Sequence, residues 1–180
     1  TLLEAWKQLR KIPLNIVGDG PLRSQVELLV ARHRLRATKT WGRVSGAECN
    51  RRINSAAFLV FPSECYEGMP MAILEAFAVG RPVIGSRIGA MAELIQDKRT
   101  GLLFEPGNPA DLAAKVRWMD AHPEACREMG YAAREEYEKK YTPGKNFSQL
   151  MNIYQTAIKH HVDCKSQRTA STNKIFGKAL

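Results

Sequence analysis

Two glutamates, Glu67 and Glu75, stand eight positions apart in the stretch 64-ECYEGMPMAILEAFAVGRPVIGS-86. From Pro70 to Val79 every residue except Glu75 is apolar. A helix that is apolar all round is a buried helix. An ionised carboxylate inside one is costly unless it is paired or hydrogen-bonded. Glu75 therefore needs donors for its oxygens, either protein groups or the hydroxyls of a ligand at a cleft. A carboxylate accepts from two neighbouring hydroxyls at once. Pro70 fits the first helical position, where its missing N–H costs nothing, and Met69 before it is pushed out of helical geometry. Glu67 then belongs to the loop, and Glu75 lies about one and a half turns into the helix. With Met69 as a cap residue that cannot cap, the N–H groups of Met71 and Ala72 point out of the helix start. Such a start attracts phosphate or sugar oxygens. Gly68 lets a ligand approach the backbone closely. The plainer alternative is a Glu75 bonded to a neighbouring loop, with Glu67 exposed.

Several elements must position these groups. Residues 2–10 read as a helix with Leu2, Leu3, Trp6 and Leu9 on one face. Leu14 to Gly18 reads as a short buried strand. Residues 21–34 read as a helix with Leu22, Val26, Leu29 and Val30 inward. Thr38 to Gly42 is a second strand, and Ser45 caps the next helix. AFLVF at 57–61 is a third strand with no polar side chain. Helix 70–79 is stopped by Gly80 and Pro82. A fourth strand follows at 82–86, a short helix at 89–95 and a fifth strand at 102–104. Further helices read at 111–120, 124–140 and 147–160. Strands without alternation, separated by helices, predict one Rossmann-like, doubly wound α/β domain with a parallel sheet covered on both faces. The strand-to-helix loops 18–23, 42–46, 62–69 and 86–90 are expected to gather at its carboxyl edge. That domain spans 1–161. Residues 162–180 are polar and basic and read as a mobile tail.

Composition narrows the classes. Of 180 residues, 44% are apolar, enough for a real core. No apolar run is long enough to span a bilayer. The opening reads like the middle of a helix rather than a secretory signal, so a longer chain is expected upstream. Cys49, Cys65, Cys126 and Cys164 lack metal-ligand spacing and read as free thiols of a reducing, cytoplasmic compartment. The histidines show no ligand pattern either, and no metal is expected. Net charge is +9. Residues 7–52 hold eleven Lys/Arg against three acids, and 159–180 hold five against Asp163. Such bias suits phosphate groups or anionic lipid, or simply solubility.

With these residues read, the stretch from Pro62 to Val116 resembles the carboxyl-terminal domain of retaining glycosyltransferases of the GT-B fold, family 4 (glycosyl transferases group 1). The family's E-x7-E pattern is met by Glu67 and Glu75. Around it lie Pro-Ser before the loop, the LEA-A-G-PV run, a small-residue turn with Glu93, and TGLL-P-P. VGDGPLR at 17–23 and TWGRVS at 40–45 are also similar, and the likeness covers about residues 1–160. The resemblance implies a half-site for a nucleotide-sugar donor. Glu75 would hold the ribose hydroxyls, and Glu67, the catalytic candidate, would contact the donor sugar. The backbone of Gly68, Met69, Pro70 and Met71 would meet sugar and diphosphate oxygens. Gly18 and Glu93 would edge the site, and Arg43 and Val44 would lie against the base. It also implies an acceptor-binding domain before Thr1, a basic pair for the diphosphate in the segment before the first helix, and no metal. By itself this chain would then be inactive. Two features depart from the pattern. Met69-Pro70 replaces the usual aromatic-Gly, so Pro70 offers no N–H, and the basic pair is not in these 180 residues.

Other readings remain at this point. Gly18-Asp19-Gly20 begins a dinucleotide-binding loop, but Arg23 stands where the third glycine belongs. A sugar-nucleotide epimerase of the same fold shares the donor chemistry. A non-enzymatic anion- or nucleic-acid-binding module would use 32-RHRLRATK-39, yet no aromatic interleaving accompanies it, so no nucleic acid is expected. Family members often act on lipid-linked acceptors, which makes peripheral attachment at the inner membrane face a further expectation. Trp6, Trp41 and Trp118 read as packing residues. The last helix, which in the family crosses to the other domain, is expected to carry an exposed apolar patch.

Overall fold

A computed structural model describes the backbone of residues 1–176 and the side chains of residues 1–161. The chain divides into two compact units, Thr1–Glu138 and Lys139–Leu180. The division falls inside a helix.

In the first unit, α1 (Leu2–Trp6) leads to β1 (Leu14–Ile16), α2 (Arg23–Arg32) and β2 (Thr38–Thr40). Then come α3 (Gly46–Ser55), β3 (Leu59–Phe61), α4 (Met71–Ala78), β4 (Val83–Ser86), α5 (Gly89–Leu94), β5 (Gly101–Phe104) and α6 (Pro109–Ala121). α7 (Pro123–Lys140) crosses the division, and α8 (Pro143–Phe176) forms the second unit. The expected basic tail is helical in its backbone as far as Phe176; its side chains lie outside the described residues. Cys164 lies there too.

Among the described residues the strand pairs are parallel, as strands without alternation separated by helices predicted. They form two sheets, however, rather than one: β1 with β2, and β3-β4-β5. Local sequence marks the strands, but pairing between distant segments leaves no local signal. The core is shared. Trp6, Leu9, Leu14, Ile84, Phe104, Leu112 and Val116 belong to one hydrophobic cluster. Each such side chain, fully buried, contributes about 1.5–3 kcal/mol.

Local rules place the helices. The Ser45 hydroxyl accepts from the Glu48 N–H at 3.2 Å, and Asn108 caps α6 ahead of Pro109. Gly80, at φ 68°, turns the chain after α4. Gly101 is needed for space: a Cβ there would lie 2.0 Å from the Val83 carbonyl oxygen.

Some expectations fail. α2 has no buried residue, and Leu22, expected inward, precedes the helix and is 66% exposed. Trp6 is core, but Trp41 and Trp118 are exposed. Each is covered on one face: Arg52 sits 3.3 Å over the Trp41 ring, and Trp118 stacks on His122 at 4.5 Å. In the second unit Phe147, Leu150, Met151, Tyr154 and Ile158 of α8 are exposed, the patch expected there. From 139 to 180 the sequence holds eight Lys/Arg against Asp163 alone, so this unit carries +7 of the net +9.

Candidate functional site

The loops that follow the strands are tied in two pairs. Arg23, just past the β1–α2 loop, places its guanidinium where a Cβ on Gly42 would be, 2.5 Å away. Gly42, at φ 63°, begins the β2–α3 loop. Asp19 and Glu27 hold Arg23 from both sides, at 3.5 and 2.9 Å. In the other pair the Tyr66 ring rests on Gly89, where a Cβ would meet it at 2.9 Å. This joins the β3–α4 loop to the start of α5. The Glu64 carboxylate also lies beside Gly107, in the turn after β5.

Glu75 sits on α4, half-buried, between the buried Leu74 and Ala76. Among the described residues no protein donor or cation is recorded against its carboxylate. Its neighbour is Cys49 of α3. Burial pushes the Cys49 thiol up from its usual value, and the Glu75 charge pushes it further. Glu75 thus lies where α3 and α4 meet, with its oxygens still to be satisfied.

Glu67 lies in the loop, half-buried, and its Oε1 accepts from the Ser63 hydroxyl at 2.8 Å. Gly68 and Met69 are exposed. Pro70 is buried and is the N-cap, with Met71 the first helical residue, one position later than predicted. The reason is the φ/ψ of Pro70 (−75°, 94°), which is extended rather than helical. The consequence for chemistry is unchanged, since Pro70 makes no side-chain cap. The Ile73 N–H bonds the Pro70 carbonyl at 3.0 Å, and the Met71 and Ala72 N–H groups face out of the helix start. α4 adds its dipole behind them.

The remaining candidates sit around the two loop pairs. Gly18, at φ 138° with open space at its Cβ position, donates its N–H to the Gly42 carbonyl at 2.9 Å. Arg43 is exposed and Val44 half-buried, next to the Arg23 clamp. Glu93 is an exposed residue of α5. Glu67 and Glu75 are therefore served by one loop and its helix. Gly18, Arg43 and Val44 come from the other loop pair, and Glu93 from the helix beneath Tyr66.

Three contributors escaped the sequence reading as site residues: Ser63, Tyr66 and Cys49. Ser63 could have been found from its place four residues before Glu67 in a tight loop. For Tyr66 and Cys49 the contacts join distant segments and leave no local signal. Among the described residues no group of His, Cys, Asp or Glu is arranged to hold a metal. No described helix is long and apolar enough to cross a membrane.

Comparison with known proteins gives the family and the fold. The family Glycosyl transferases group 1 matches residues 1–121. An uncharacterised glycosyltransferase of Methanocaldococcus jannaschii is 30% identical over 154 residues, covering 86% of this chain and 43% of the relative. A D-rhamnosyltransferase of Pseudomonas aeruginosa is 33% identical over 132 residues, covering 72% and 35%. In structure, an Anabaena protein crystallised with UDP-glucose superposes with a TM-score of 0.80 at 18% identity, over 86% of this chain and 44% of that one. The chain thus spans less than half the length of these relatives, and its fold is that of one half of a GT-B enzyme. It belongs to the group 1 glycosyltransferases.

Proposed function

We propose that the full-length protein transfers a sugar from a nucleotide-diphosphate sugar to an acceptor with retention of anomeric configuration, and that this chain supplies the donor half-site. The observation that carries the reading is Glu75. A carboxylate on an otherwise apolar helix, with no protein donor recorded against it among the described residues, is suited to two vicinal ribose hydroxyls. The uncapped start of α4 supports a diphosphate, whose growing charge on leaving would be stabilised by the Met71 and Ala72 N–H groups and the helix dipole. Glu67, whose Oε1 accepts from the Ser63 hydroxyl, would meet the donor sugar. Gly68 and Met69 offer backbone beside it, and Arg43 and Val44 would flank the base. Gly18 and Glu93 would edge the same site. The reading requires no metal.

On this reading the acceptor site lies in a partner domain, and the 180-residue chain alone turns nothing over. The positive charge supports a further part of the proposal, peripheral attachment of the full-length protein to an anionic membrane surface at its cytoplasmic face. Sedimentation with anionic against neutral vesicles tests that part, and equal binding to both removes it.

The donor reading is tested by titrating the chain with UDP, GDP, ADP and NAD, alongside Glu75→Ala. Binding of one nucleoside diphosphate, weakened at least about tenfold in Glu75→Ala, is the expected result. Equal binding by the two proteins would overturn the role of Glu75. Preference for NAD would favour the dinucleotide-binding alternative.

A further inference from the structure

At the amino ends of β3 and β4, away from the loop that carries Glu67, lies an open cavity of about 710 Å³. Ala57 and Phe58 line it just before β3, and Pro82 just before β4. The turn after α4 supplies Val79, Gly80 and Arg81. The remaining wall includes Met119 of α6 and Pro123, Cys126 and Tyr131 of α7. The volume suits a small organic molecule, and most of these side chains are apolar. The walls are also fixed. α7 crosses the turn so closely that a Cβ on Gly130 would lie 2.3 Å from the Gly80 carbonyl oxygen. None of the donor-site candidates lines this cavity.

Three arginines line the cavity as well: Arg81, Arg127 and Arg134. Two of them have counter-charges. Arg127 pairs with Glu124. Arg134 pairs with Glu138 at 2.7 Å and donates to the Ala78 carbonyl at the end of α4. Arg81 is different. It is half-buried, and its Nη2 donates to the Asn54 carbonyl, in the last turn of α3, at 2.6 Å. Its Nε is buried with no partner. Among the described residues no carboxylate is recorded against it. Asp120, the one carboxylate on the cavity wall, is exposed and makes no recorded ion pair with Arg81. The guanidinium charge reaches Cys126, where it opposes the upward push that burial gives the thiol. Bonding to a helix-end carbonyl explains how Arg81 is held. It does not supply the counter-charge that a half-buried cation beside an apolar cavity calls for.

We propose that this cavity binds a small organic anion, a carboxylate or a phosphate monoester, whose charged group meets Arg81 and whose apolar body lies against Met119, Pro123 and Tyr131. A guanidinium offers several N–H donors in a planar fork that matches either head group. Tyr131 is 75% exposed and gives the body an aromatic surface to cover. One guanidinium without a counter-charge selects for the anionic group, and the apolar walls select for the body. Inorganic phosphate meets only the first of these demands. The site stands apart from the donor half-site along the length of α4, which starts at Met71, four residues after Glu67, and ends at Ala78 on the cavity wall. This inference does not depend on the donor reading.

Titration of the 180-residue chain with phenyl phosphate, benzoate and inorganic phosphate, followed by amide NMR shifts, tests it. Phenyl phosphate or benzoate should saturate with a Kd of about 1 mM or tighter, moving the amides of Gly80, Cys126 and Tyr131. The tighter of the two names the head group. Inorganic phosphate should bind at least about fivefold more weakly, because it leaves the apolar walls uncovered. Arg81→Gln should weaken binding of the tighter probe at least about tenfold. Glu75→Ala, or saturating UDP, should leave it within about twofold. Shifts confined to Met71 and Ala72 would place the anion at the start of α4 and overturn the proposal, as would displacement by UDP. Failure of both organic probes to saturate, or unchanged binding by Arg81→Gln, would overturn it too. Should Arg81→Gln fail to fold, Tyr131→Ala, at an exposed position, decides. A loss of about threefold or more is expected there, and no loss rejects the site.

Discussion

The half of the domain built on β3, β4 and β5 differs in kind from the half built on β1 and β2. In the former, α4 buries Ile73, Leu74, Ala76 and Phe77, and two of its three strands are buried. In the latter, α2 buries nothing, and each strand buries one residue in three. Both halves offer loops after their strands, but only the first holds a candidate carboxylate, Glu75, on a packed helix. Positioning precision follows from that difference. A group on α4 inherits the rigidity of the core, while Arg43 and Val44 depend on the Arg23 clamp. Binding energy that needs fixed geometry should therefore come from the α4 side, and adaptable contacts from the other.

Substitutions can break this contrast. Phe77→Ala, at a fully buried site, should destabilise the domain by about 3–5 kcal/mol, whereas Leu28→Ala on the exposed α2 should change stability by less than about 0.5 kcal/mol. Urea midpoints of the two variants measure the pair, and similar losses would erase the distinction. Gly101→Ala should come next, at about 3 kcal/mol, because its Cβ would press on the β4 backbone. Gly20→Ala, with open space around it, should be nearly neutral.

Smaller effects sharpen the site itself. In Glu75→Ala the Cys49 thiol loses the negative neighbour that helps to hold its pKa up, so more of it ionises near neutral pH. Alkylation of Cys49, followed by peptide mass, should run about threefold faster than in the parent protein. An unchanged rate would mean that the two side chains do not meet. Smallest is the start of α3. The hydrogen bond from Arg51 holds the Glu48 carboxyl below its usual value. A depressed pKa contributes stability that is present above the unfolded value and is lost as pH falls through the folded one. Fraying of α3 should thus set in as pH falls through the ordinary carboxylate range and be complete below it, and amide exchange at the start of α3 should show it. For an exposed pair the effect is slight.

Much of this was legible in the residues. Short segments between helices marked all five strands, although β1 (Leu-Asn-Ile) and β2 (Thr-Lys-Thr) are not unbroken apolar runs, and Gly80 with Pro82 marked the end of α4 to within a residue or two. Glu75 drew attention because a charge interrupts an apolar helix, and the structure leaves that charge half-buried without a recorded protein donor. The failures share a cause. Leu22, Val26, Leu29 and Val30 have helical spacing, but spacing cannot say whether a surface exists for them to cover. The split between β1 and β3 was invisible for the same reason, since both strands read correctly by themselves. Ser63 holding Glu67 was within reach of local reasoning. Tyr66 on Gly89 was not, because it joins the ends of two different strands.

The division at Glu138 and Lys139 also has a consequence in the language of fields. Residues 1–138 carry only +2, while the following 42 carry +7. The first unit is thus nearly neutral and the second strongly cationic. Toward any anionic surface, whether a resin, a bilayer or a polyanion, the second unit experiences most of the pull. Raising the salt concentration to about 1 M, where charges are felt over only about 3 Å, would leave the two parts almost alike.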